Sequence, residues 1–109
     1  MSAIDDVRAG RTEIRWGERI SVSAMFYEKG YVVEMKERAF SIDYYADGDI
    51  RLMTSSYFDY EFKEHQDLFK SFKYGKTFPT EEEAKAYAQK FYDRFVVEIE
   101  ARQKEGAGR

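Results

Sequence analysis

The sequence predicts an α+β fold: an antiparallel meander of four or five strands with one long C-terminal helix packed on one face. Three observations carry this expectation. Residues 79 to 104 hold a capped helix pattern with one apolar stripe. Residues 19 to 54 alternate apolar and polar positions across links too short for parallel crossovers. Asp47-Gly48 between two such runs is a strong hairpin signal.

Taken in order, residues 1 to 13 are polar and read as a flexible or loosely docked arm. Arg8, Arg11, Arg15 and Arg19 share the spacing of one helix face, so a short basic helix is the alternative there; Ile4, Val7 and Ile14 give the arm something to dock with. Trp16, the single tryptophan, reads as a lid on the core.

Arg19 to Glu28 alternates and reads as one strand, with Ile20, Val22, Ala24 and Phe26 on one side and Ser21, Ser23, Met25 and Tyr27 on the other. Lys29-Gly30 is expected to turn, and Tyr31 to Lys36 to form a second strand, with Tyr31, Val33 and Met35 opposed to Glu34 and Lys36. Phe40 to Tyr45 follows as a third strand, with Phe40, Ile42 and Tyr44 inward. Asp49 to Thr54 is a fourth, with Ile50 and Leu52 on its apolar side.

Residues 55 to 78 have two readings. Phe58, Phe62, His65, Phe69 and Phe72 suit a helical period, so an irregular or helical piece is expected near 59 to 70. Ser71 to Tyr74 also suits a fifth, edge strand.

The long helix then starts at a capping box: Thr80 as N-cap, Glu83 three residues on, and Glu81, Glu82 and Glu83 at the positive end of the helix dipole. Ala84, Ala88, Phe91, Phe95 and Ile99 form its stripe, widened by Tyr87, Tyr92 and Val96. Arg102 and Lys104 suit its C-terminal end, Gly106 reads as its stop, and residues 105 to 109 as a disordered tail. The opposite sheet face, with Ser21, Ser23, Met25, Tyr27, Val32, Tyr45 and Met53, is mixed in polarity and suits burial against a partner or a second copy of the chain.

At 109 residues the chain is expected to be a single domain, with 43% hydrophobic and 17% aromatic residues to build its core. Its net charge of -3 argues against binding nucleic acid through a generally basic surface. Without cysteine there is no disulfide scaffold or thiolate zinc site. No apolar run approaches the roughly 20 residues that span a bilayer, so no membrane role and a cytoplasmic location are expected.

No motif marks an enzyme. His65 has Glu64 and Asp67 beside it in sequence, but acid–base catalysis needs a partner in space. Asp43, Asp47 and Asp49 resemble a calcium loop only loosely. With Asp43 at position 1, Tyr45 and Thr54 fill positions 3 and 12, where oxygen ligands are required. The isolated glycines build no phosphate loop. No cofactor and no metal are therefore expected.

One regional bias remains. Asp43, Asp47, Asp49, Asp59 and Glu61 cluster in sequence with Tyr44, Tyr45, Tyr57, Phe58 and Tyr60, against Arg51 alone. Asp43, Tyr45, Asp47, Asp49, Tyr57, Asp59 and Tyr60 are the candidate partner-binding residues. Carboxylates there would stand in for phosphates on a basic partner, with tyrosines as rigid contact area. The plainer reading is a solvated sheet edge. The expected function is non-enzymatic protein–protein binding, as in a stoichiometric inhibitor of a nucleic-acid-handling protein. In size and composition alone the chain is similar to anti-CRISPR proteins. The alternative is a nucleic-acid-binding module that uses sheet aromatics with Lys63, Lys70, Lys73 and Lys76.

Overall fold

The computed structural model describes residues 12–23, 25–32, 35, 37–72 and 76–107. The order along the chain is β1 (Arg15–Trp16), β2 (Ile20–Val22), β3 (Met25–Tyr31), β4 (Phe40–Tyr44), β5 (Ile50–Thr54), α1 (Ser56–Glu61), a 3-10 segment (Lys63–Ser71), β6 (Thr77–Phe78) and α2 (Glu81–Ala107). The fold is α+β, with an antiparallel sheet in the order β1-β3-β4-β5-β6 and β2 paired to β3 beside β1.

The sheet has six strands among the described residues: the expected first strand is folded in two, Arg15–Trp16 adds a strand that was not expected, and of the expected second strand, Tyr31 to Lys36, Tyr31 instead ends β3 while Val32 and Met35 are in no strand. Ser23 takes a φ of 54°, and the chain doubles back so that Val22 faces Met25 and Ile20 faces Tyr27. The turn shifts the parity, so Ile20 and Val22 share a face with Met25 and Tyr27 and not, as expected, with Phe26; the alternation along the sequence runs on without a break and reads as one continuous strand. The expected turn at Lys29-Gly30 does not form. Gly30 is inside β3, paired with Trp16 on one side and Phe40 on the other. A Cβ at Gly30 would stand 2.8 Å from a Trp16 ring carbon and 3.0 Å from Ile14 Cγ2. This glycine makes room for a ring. Arg15 is in β1 and Arg19 in the link to β2, so no basic helix runs through them. Arg8, Arg11 and the rest of residues 1–11 lie outside the described residues, as do Ala24, Val33, Glu34, Lys36, Lys73, Tyr74 and Gly75.

The β4–β5 hairpin forms as expected. Gly48 has a φ of 94°, Gly48 N–H donates to the Tyr45 carbonyl over 3.0 Å, and Asp47 Oδ1 accepts from Asp49 N–H at 3.0 Å. Past β5, Ser55 caps α1 by accepting from Phe58 N–H at 3.1 Å and donates to the Arg38 carbonyl. The fifth strand of the meander is Thr77–Phe78, later than expected.

Thr80 caps α2, accepting from Glu83 N–H at 3.2 Å. The helix runs past Gly106 to Ala107, so Gly106 does not stop it. Its expected stripe is the buried one: Ala84, Ala88, Phe91, Tyr92, Phe95, Val96 and Ile99. α1, the 3-10 segment and α2 pack on one sheet face through aromatic side chains. Phe58 lies at their centre, with ring centroids 5.3 Å from Phe40, 5.2 Å from Phe69 and 5.2 Å from Phe95. Every phenylalanine except Phe26 packs in or against this core. Val32, expected on the open face, is buried in it at 2% exposure.

Residues 12–14 are tied to α2. Gln89 accepts from Ile14 N–H at 2.8 Å and donates to the Thr12 carbonyl at 3.0 Å. Thr12 Oγ1 bonds Asp93 at 3.2 Å. No helix among the described residues is long and apolar enough to cross a membrane.

Candidate functional site

The cross-strand registers place every side chain of the sheet on one of two faces. Phe26, Glu28, Tyr44, Ile42, Phe40, Ile50, Leu52 and Phe78 share the face under the helices. Ile20, Val22, Met25, Tyr27, Lys29, Tyr31, Asp43, Tyr45, Arg51 and Met53 share the other, which no described element covers. Ser21, expected among the latter, pairs with Phe26 and so falls on the inner face.

The candidate partner-binding residues divide in space. Asp43 and Tyr45 lie on the open face, and Asp47 and Asp49 at the β4–β5 turn beside them. Tyr57, Asp59 and Tyr60 sit on α1, at the opposite end of β5. The five residues of β5 set the two groups about 16 Å apart at ~3.3 Å per residue. The second group is partly engaged within the protein. Asp59 accepts from Thr54 Oγ1 at 3.0 Å, while Tyr57 borders a hollow with Lys29, Tyr31, Glu37 and Arg38 and stays more than half exposed. Tyr60 remains 70% exposed. The acidic bias is also diluted. Arg51 pairs with Asp49 at 3.3 Å and lies 4.8 Å over the Tyr45 ring. Tyr44 and Phe58, counted in the same sequence cluster, point inward.

At the turn end a smaller surface assembles. Val22, Ser23, Met25, Tyr45, Ala46 and Asp47 line a shallow depression between the β2–β3 and β4–β5 hairpins. Val22 is 48% exposed and Phe26, on the other face of the same hairpin, 50%. Apolar side chains adjoin one exposed carboxylate there, Asp47, with Asp49 next in the turn, and apolar contact area edged by polar groups is the arrangement of protein interfaces.

The best-defined polar constellation was not anticipated as a site. Glu28, on the inner face and only 4% exposed, accepts from Tyr44 Oη at 2.7 Å, from Arg19 Nε at 3.0 Å and from Lys85 Nζ at 3.0 Å. Glu81, in the first turn of α2, accepts from Arg19 Nη2 at 2.8 Å and lies 3.0 Å from Tyr44 Oη. Two carboxylates and two cations balance. Burial raises the Glu28 carboxyl pKa, but the bonds from Tyr44, Lys85 and Arg19 outweigh it and hold the carboxyl below its ordinary value. Glu81 is held low chiefly by Arg19, then Tyr44. Burial, then the two carboxylates, push the Tyr44 phenol up. The acids stay ionised and the phenol protonated near neutral pH, so the cluster clamps β2, the sheet and α2 together and is ill suited to proton transfer. Its signal in the sequence was Glu28 itself, a charge at the same parity as Phe26.

His65 is likewise engaged. Its Nδ1 lies 3.0 Å from Arg102 Nη1 and must accept, since a guanidinium has only donors. Arg102 also pairs with Asp67. No group of three or more His, Asp or Glu side chains among the described residues is arranged to hold a metal. Lys63 and Lys70 sit on the 3-10 segment in the helical layer, so they do not join the aromatics of the open sheet face. Lys73 lies outside the described residues.

Fold and clamp together define a small α+β protein whose sheet is packed on one side. Comparisons of the chain with protein-family models, curated proteins and solved structures return no match.

Proposed function

We propose that this protein works without catalysis, by binding another protein through the paired hairpin ends. The observation that supports this reading is the exposure of Val22 in a depression it shares with Asp47 at the hairpin ends, with Phe26 exposed on the other face of the same hairpin. Half-exposed apolar side chains at a sheet end have a burial energy still to gain, about 25 cal/mol per Å², and the carboxylates of the turn select a basic partner surface. A nucleic-acid-handling protein has such a surface where it holds phosphates. A chain that occupies it acts as a stoichiometric inhibitor. The lack of cysteine suits a cytoplasmic, reducing location for this activity.

The test is a pull-down with tagged protein from nuclease-treated bacterial lysate, run in parallel with Val22→Asp and with the double variant Asp47→Lys, Asp49→Lys. Val22 and Asp47 are exposed and Asp49 half-exposed, and circular dichroism checks that the fold survives loss of the Asp47–Asp49 turn bond and the Asp49–Arg51 pair. A partner held by wild type and lost by both variants supports the reading. A partner that both variants retain overturns it.

A second reading, single-stranded nucleic-acid binding, is favoured by one observation. Arg15, Lys29 and Arg51 share the open face with Tyr27 and Tyr31, against Asp43 as the only acid at those register positions. Aromatic stacking and phosphate contacts are the two elements such binding uses. Anisotropy of a labelled oligonucleotide, with Lys29→Glu as control, separates it from the first.

A further inference from the structure

A second recessed surface lies in the helical layer. The 3-10 segment and α2 leave a groove between them of about 320 Å³, lined by Leu68, Tyr87, Lys90, Phe91, Arg94, Phe95 and Glu98. That volume is at the small end of the range for ligand pockets, about 300 to 1,000 Å³. Its floor is apolar, because Phe91 and Phe95 turn toward the core and Leu68 packs against that core from the 3-10 side. Its rim is cationic. Lys90 and Arg94 stand four residues apart on one helix face, and neither forms an ion pair among the described residues. Glu98, one turn further on, is the only acid of the lining, and its field reaches Arg102, whose pKa it helps to raise.

We infer that this groove binds a small amphipathic carboxylate, with the apolar chain against Leu68, Phe91 and Phe95 and the carboxylate between Lys90 and Arg94. Both halves of the ligand follow from the lining. An apolar floor takes a hydrocarbon or aryl group. A guanidinium and an ammonium on one rim pair with an anion through charge-assisted bonds, the guanidinium in a fork that matches a carboxylate. A neutral alcohol of the same chain length fills the floor but leaves the rim unpaired. A cationic amphiphile is repelled there. The inference is independent of the hairpin surface, since no residue is shared between them.

The experiment titrates full-length, isotope-labelled protein with decanoate and with 1-decanol, following backbone amide shifts by NMR. Decanoate should saturate, with shifts concentrated at Leu68, Lys90, Phe91, Arg94 and Phe95. Decanol should bind at least about tenfold more weakly, the difference expected for loss of a charge-assisted contact. Lys90→Glu and Arg94→Glu, both at exposed positions, should each weaken decanoate by about tenfold and leave the melting temperature unchanged. Equal affinity for decanol, unaltered affinity in both variants, or shifts centred on Val22 and Phe26 overturns the proposal. So does tighter binding of an acetylated Leu-Phe-Asp peptide, which assigns the groove to a protein segment.

Discussion

The Tyr44 hydroxyl donates to the buried Glu28 carboxylate over 2.7 Å and lies 3.0 Å from Glu81, joining the sheet to the first turn of α2. Because Glu28 also holds Arg19 and Lys85, its ionisation state is coupled to folding. Its folded pKa lies below the ordinary value of about 4.3. The stabilisation it confers is therefore complete above that value and lost as pH falls through the folded pKa. Urea midpoints should be flat from pH 8 to about 5 and fall below about 4. Glu28→Gln should shallow that fall and cost about 1 to 3 kcal/mol at pH 7, less than a fully buried pair because Arg19 and Lys85 reach solvent. An unchanged pH profile in the variant would assign the fall to other carboxylates.

Gly30 under Trp16 yields a second expectation. Alanine there places its Cβ 2.8 Å from the ring, and β1 must shift to relieve the overlap. Gly30→Ala should cost about 1 to 3 kcal/mol. Since Trp16 is the only tryptophan, its fluorescence reports the shift directly, as red-shifted emission in the native state. Native emission identical to wild type would show that β1 accommodates the methyl group in place.

Two phenylalanines should differ sharply. Phe58→Ala empties the centre of the aromatic core and should cost about 3 to 5 kcal/mol, a large part of the stability of a domain this size. Phe26→Ala, at 50% exposure, should cost below about 1 kcal/mol. Chemical denaturation of both variants checks the contrast, and equal losses would contradict the described packing.

The turn after β2 stores strain. Ser23 occupies the left-handed region at a φ of 54°, where a side chain costs roughly 1 to 2 kcal/mol. Ser23→Gly should raise stability by about 0.5 to 1 kcal/mol after the larger entropy of glycine in the unfolded chain is counted. A lower denaturation midpoint would mean that the Ser23 side chain contributes more than its backbone strain costs.

Much of the architecture was legible in the residues. α2 announced itself through the Thr80 cap and the Ala84 to Ile99 stripe, and the β4–β5 hairpin through Asp47-Gly48, because caps and tight turns are local hydrogen-bonding problems. The β2–β3 hairpin was hidden because Ser23-Ala24 lacks the Asn-Gly or Asp-Gly signature of a two-residue hairpin and the apolar alternation in the sequence passes through them unbroken. Gly30 read as a turn because its true constraint, the Trp16 ring, comes from a strand fourteen residues earlier. The candidate site was less legible still. Asp43, Asp47, Asp49, Tyr57, Asp59 and Tyr60 are close in sequence, yet β5 carries the last three to the other end of the sheet.

By itself the sequence determined the class of fold, the long helix and its buried stripe, and the hairpin at Asp47-Gly48. These depend on periodicity, capping and turn chemistry within a few residues. Tertiary structure alone decided that Glu28 lies under the helix with Arg19, Tyr44, Glu81 and Lys85 around it, that Val22 and Phe26 remain exposed, and that Lys90 and Arg94 rim a groove. Each of these depends on residues brought together across the sheet or between helical segments, and a contact at long sequence separation leaves no local pattern in the chain.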